Sequence, residues 1–64
     1  MDKKRFMAAL ALAGIRQMEF AKQIGVSPSL VSRVLDGNAT SGPVAKKIAD
    51  FTEAAFKKHS KKAA

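Results

Sequence analysis

Residues 17–37 read QMEFAKQIGVSPSLVSRVLDG. Two short runs with helical spacing of apolar residues meet at Gly25-Val26, and the reading of that junction decides the fold. In the second run Ser27 is a good N-cap, Pro28 suits the first helical position, and Gly37 supplies a stop. At about 100° per residue, Leu30, Val31, Val34 and Leu35 share one side of this helix, while Pro28, Ser29, Ser32, Arg33 and Asp36 share the other. A helix that had only to stay soluble would carry Glu and Lys on its polar side. This one carries short hydroxyls and a single arginine, which suits a surface that meets another molecule closely.

The first run spans Gln17 to Ile24, with Phe20, Ala21 and Ile24 as its buried stripe. Arg16 stands where a Ser or Thr cap is expected, so that helix start is weakly capped. Ala21 is small enough to let the two helices approach, and Gly25 permits a turn conformation that a Cβ would oppose. Val26 plugs the corner, while Val31 and Val34 fix the second helix on the core.

Working outward, the spacing predicts a helix capped by Asp2 and stopped at Gly14, with Phe6, Ala9, Leu10 and Ala13 on its core face. Its basic start, apolar stretch and Ala-x-Ala pattern mimic a signal peptide. The apolar run from Phe6 to Ile15 is only about ten residues, however, and cleavage near Ala13 would strip the remainder of its hydrophobic partner. The segment is therefore read as part of the fold. Beyond the motif, NATSG (residues 38–42) is a polar loop, and Pro43 opens a helix continuing to about Lys58. Val44, Ile48, Phe51 and Ala55 form its apolar row, and Ala45, Ala49 and Phe56 widen it beyond what one small core requires. Met7 and Met18 are read as core or edge packing, and His59, with no Cys or second His, as a surface residue. No repeat and no strand-period segment occurs. The expectation is a small all-α domain of four helices, or five, over residues 1–58, with a basic flexible tail over 59–64.

Sixty-four residues bury only about 60% of their unfolded surface, leaving no room for a deep catalytic cavity. Cysteine is absent, which removes disulfides and thiolate metal sites. No pair of acids and no nucleophile with a base stands out, so the chain is read as non-enzymatic, with no cofactor, metal or small-molecule ligand. Twelve Lys and Arg against five Asp and Glu leave a net charge of +7, which favours polyanionic partners. No stretch approaches the ~20 apolar residues of a membrane span.

Gln17, Ala21, Gly25, Val26, Val31, Ser32, Leu35 and Gly37 together resemble the helix-turn-helix of the lambda-repressor/Cro-like family of phage, plasmid and bacterial transcription regulators. The resemblance covers about a third of the chain. VSRVLDGNATSGP is also similar to lactose-repressor headpieces, but here a helix precedes the motif and no hinge or sugar-binding domain follows, which favours the Cro-like branch. The resemblance implies a lambda-repressor-like fold that binds double-stranded DNA and represses transcription from an operator. It implies base-edge contacts at Pro28, Ser29 and Arg33, with Ser27 and Ser32 alongside, and phosphate contacts at Gln17, Asn38 and Thr40. Arg16, which departs from the family's usual cap, Ser27 and Lys46, just after the loop, are read from their own placement as further phosphate contacts. The physics concurs. The major groove is about 12 Å wide and admits one helix lying flush, which short side chains allow, and Arg is the side chain suited to bidentate bonding with guanine. Pro28 offers at most an apolar contact to a thymine methyl.

Several residues admit a plainer role. Arg33 could pair with Asp36 three residues on, and Asp36 could orient Arg33 or cap locally. Ser27 is a cap first and a phosphate contact second. The clusters Lys3-Lys4-Arg5 and Lys57-Lys58-Lys61-Lys62 are either solvated charge or nonspecific DNA contacts. Ala45, Ala49 and Phe56 could close a homodimer on a palindromic operator; alternatively Phe56 folds back on the first helix. A DNA-binding role implies a cytoplasmic, nucleoid-associated protein. The rivals are an antitoxin-like or accessory protein-interaction module using the last helix, and a membrane-active basic bundle, which the well-placed caps disfavour.

Overall fold

The computed structural model describes residues 3–60, the side chains of residues 59 and 60 excepted. Four helices follow one another: α1 (Lys3–Ala13), α2 (Gln17–Ile24), α3 (Pro28–Leu35) and α4 (Gly42–Ser60). No strand occurs among the described residues, so the domain is all-α as expected. Asp2, expected to cap α1, lies outside them.

The core is built from the predicted stripes. Phe6, Ala9 and Leu10 of α1, Phe20 and Ala21 of α2, Val31, Val34 and Leu35 of α3, and Val44, Ile48 and Ala55 of α4 are buried. Phe6, Phe20 and the half-buried Phe51 meet ring to ring, with centroids 5.0 Å apart for Phe6–Phe20, 5.0 Å for Phe20–Phe51 and 5.8 Å for Phe6–Phe51. The first and last of these pairs are edge-to-face, the geometry the ring quadrupole favours, worth about 0.5–1.5 kcal/mol per pair beyond burial. α1 packs on α4, α2 on α3, and α3 on α4.

Gly25 does what its position in the sequence requires. It takes φ +75°, ends α2, and its N–H donates to Lys22 O while that of Val26 reaches back to Ala21 O at 3.0 Å. This is a Schellman closure, with Val26 dropping against the core. The same five-residue reach recurs from Ile15 to Leu10 and from Asn38 to Arg33. One device therefore stops all three short helices.

The structure corrects some expectations. Ala13 shares the core side of α1 but is exposed, because it is that helix's last residue and sits on the wall of an open groove. Met7 and Met18 are 44% and 67% exposed rather than packed, since each lies well round its helix from the buried stripe. α4 starts one residue early, at Gly42, where Ser41 Oγ accepts from the Val44 N–H at 3.4 Å. It also runs on to Ser60, so the start of the expected tail is helical; residues 61–64 lie outside the described part. Thr52 was not foreseen in the core. It is buried, and its hydroxyl donates to Ile48 O at 2.8 Å, which leaves no orphaned polar atom.

Two stability predictions follow from these contacts. A Cβ at Gly25 meets no atom within 4 Å, so Gly25→Ala suffers from backbone strain alone, about 1–2 kcal/mol. Thermal melts should fall by roughly 4–8 °C per kcal/mol, with Gly25→Asn recovering part of the loss. Phe20→Ala should cost about 3–5 kcal/mol, against a total of roughly 3–10 kcal/mol for a chain this size. A cooperative melt close to that of the wild type would disprove the importance of the aromatic cluster.

Candidate nucleic-acid interface

α3 is held from behind and open in front. Val31, Val34 and Leu35 are buried, Leu30 is half-buried, and Pro28, Ser29, Arg33 and Asp36 are exposed. Ser32 is half-buried at the edge of the packed side. Ser29 and Arg33 lie four residues apart, hence about 40° round the helix and about 6 Å along it, close to two base-pair steps. Ser32 is Arg33's neighbour and lies one turn from Ser29. The open front thus presents two small hydroxyls and one long cation, with Pro28 at the leading end.

The helix is well anchored at its start. Ser27 Oγ accepts from the Leu30 N–H at 3.2 Å, as its cap position requires. Ser27 is exposed, and its hydroxyl proton remains able to donate. Past the other end, the N–H groups of Asn38 and Ala39 donate to Arg33 O at 2.8 and 3.2 Å. Those two amides are therefore committed within the protein. What the loop offers a phosphate is the Asn38 side chain and Thr40, both exposed.

α2 begins differently. Arg16 occupies its N-cap position in extended conformation and makes no side-chain capping bond. The first-turn amides of α2 are left without a cap, beside an exposed guanidinium and the half-buried Gln17. Such an end attracts anions through amides, partial dipole charge and Arg16 together.

Asp36 does not pair with Arg33. Lys3 Nζ donates to Asp36 Oδ1 at 2.8 Å, tying the start of α1 to the end of α3. Arg33 has no ion pair among the described residues. Lys46 Nζ donates to Asp50 Oδ2 at 3.2 Å, one turn along α4, with both side chains well exposed. A pair so hydrated contributes little and is easily exchanged for another anion. Phe56 is half-buried, and the Arg5 guanidinium sits 4.6 Å above its ring. Ala49 is exposed and Ala45 half-buried on the same helix. Neither the Lys3–Asp36 pair nor the Arg5–Phe56 contact is legible from sequence spacing, since each joins distant segments.

Among the described residues, no cluster of His, Asp or Glu could hold a metal, and no helix is long and apolar enough to cross a membrane. The arrangement is that of a DNA-binding helix-turn-helix domain. Residues 6–54 match the helix-turn-helix family model of the Cro/C1 type, and the chain belongs to that family. It is thus a member of a class of DNA-binding transcription regulators. No curated protein and no solved structure matches the chain.

The absent cap at α2 generates a prediction. Arg16→Ser should supply the missing cap and stabilise the domain by about 1 kcal/mol. The same change should weaken duplex DNA binding and lower its salt slope by about 1. A variant that gained stability with undiminished DNA affinity would show that Arg16 faces no phosphate.

Proposed function

We propose that the protein is a sequence-specific repressor of phage or plasmid type, acting in the cytoplasm by occupying an operator. The observation that carries this reading is the uncovered front of α3, with Arg33 exposed and, among the described residues, without an acidic partner. Pro28, Ser29, Ser32 and Arg33 read base edges. Arg33 supplies the only bidentate base contact of the four, to guanine O6 and N7, and Pro28 touches a thymine methyl. Arg16, Gln17, Ser27, Asn38, Thr40 and Lys46 hold the phosphates, which sets register without reading sequence.

On this reading two copies bind a palindromic site, through Ala45, Ala49 and Phe56. A two-fold dimer would set its reading helices about 34 Å apart, on successive major grooves. Catalysis plays no part in the reading. A second reading, a protein-interaction module built on the last helix, has one observation in its favour. An open groove of about 370 Å³ lies between Leu12 and Ala13 of α1 and Phe51, Ala54, Ala55 and Lys58 of α4. A stoichiometric protein partner, with no footprint on duplex DNA, would favour that alternative.

Selection from random duplexes at two salt concentrations is the direct test. It should return a palindromic consensus with a guanine in each half-site; failure to enrich any sequence would overturn the proposal. Arg33→Ala should then relax the preference at that guanine by about 1–3 kcal/mol. Lys46→Ala should weaken binding to all sequences alike and reduce the salt slope by about 1. If both variants lost affinity equally on every duplex, the division between reading and holding would be wrong.

A further inference from the structure

Asp36 follows Arg33 by three residues on the same helix end, the spacing at which an acid and a base ordinarily meet. In solution such a pair would hold the guanidinium back along its own helix. Here the carboxylate is taken by a residue 33 positions away, Lys3, whose ammonium lies 2.8 Å from Asp36 Oδ1. The two side chains are 51% and 39% exposed, so the bridge is hydrated and adds little to folding. Its location is nevertheless specific. Lys3 stands in the first turn of α1, which carries no acid, and the helix dipole there disfavours a cation. Asp36 brings a carboxylate to that first turn, and Lys3 occupies the acid that stands three residues from Arg33.

We infer that Lys3 is a positioning residue for base reading: by occupying Asp36, it leaves the Arg33 guanidinium free to reach a guanine edge. The inference rests on the reading of α3 as the helix that enters the groove. It separates two roles a lysine beside DNA could have. A phosphate contact strengthens binding to every sequence. A residue that keeps Asp36 away from Arg33 acts on the preference for guanine, and only while Asp36 is an acid.

The experiment uses the full chain and two duplexes, the selected site and the same site with the Arg33-assigned guanine replaced by adenine. Their affinity ratio is measured at low salt for the wild type, Lys3→Met, Asp36→Asn and the double variant, with Arg33→Ala as reference. Thermal melts of all five establish that each is folded. Lys3→Met should lower the guanine preference about twofold, the strength of an i, i+3 pair that Arg33 would first have to break. Asp36→Asn should leave the preference intact, and the double variant should restore it. Equal weakening of both duplexes by Lys3→Met would overturn the inference and make Lys3 a phosphate contact. A preference lowered by Lys3→Met but not restored by Asp36→Asn would overturn it as well. If Arg33→Ala left the preference unchanged, the reading of α3 would fail first, and the role of Lys3 with it.

Discussion

Three phenylalanine rings, contributed by α1, α2 and α4, are the contact on which the rest of this domain depends. A chain of this length has few large side chains to bury, and Phe6 and Phe20 are among the largest that vanish from solvent entirely. Phe6 meets Phe20 and Phe51 edge-on and Phe20 meets Phe51 at a tilt, so the cluster joins three helices at once. α3 contributes no ring. It is attached to the cluster's side through its buried valines and Leu35, against a second helix that is small at Ala21. This division explains why one face of α3 can remain open: the core closes without needing it.

From that anchoring the geometry of the front follows locally. The Gly25 turn and the Val26 N–H bond to Ala21 O determine where α3 leaves α2. The Ser27 cap and Pro28 determine where α3 starts, and the return of Asn38 and Ala39 to Arg33 O determines where it ends. Eight residues remain between these fixed ends, the length of a little over two turns. A helix so short has no propensity to stand alone. Its outward side chains are held in register by the turns and the core behind them.

These local devices were legible in the sequence because each is written within six residues. The glycine stops, the serine cap, the first-turn proline and the periodic stripes all depend on neighbours along the chain. What was not legible depends on where another element ends or crosses. Periodicity placed Ala13 on the core side, but nothing in it could tell that α1 would terminate over an open groove. The same holds for Met7 and Met18, hydrophobic residues whose side of the helix meets no partner. Asp36 had a plausible partner at i, i+3 and took one 33 positions away. Thr52 reads as a surface residue by type, and only its bond to Ile48 O makes its burial inexpensive. The candidate base-reading residues were the easier part, since an uncharged polar side with one arginine is visible without any tertiary information.

The charges obey a different logic from the core. A chain arranged for stability alone would put acids in the first turn of its helices, each worth about 0.3–1 kcal/mol. α1 begins instead with Lys3, Lys4 and Arg5, and α4 has no acid in its first turn; α2 carries Glu19 there but is preceded by Arg16 without a cap. These are departures from local consistency, and such departures tend to fall at functional sites. A helix start that bears both uncapped amides and a cation offers a place for an anion from outside. On the proposed reading, a phosphate backbone supplies that anion at α2, and the same excess of positive charge that disfavours the free fold becomes the source of its affinity.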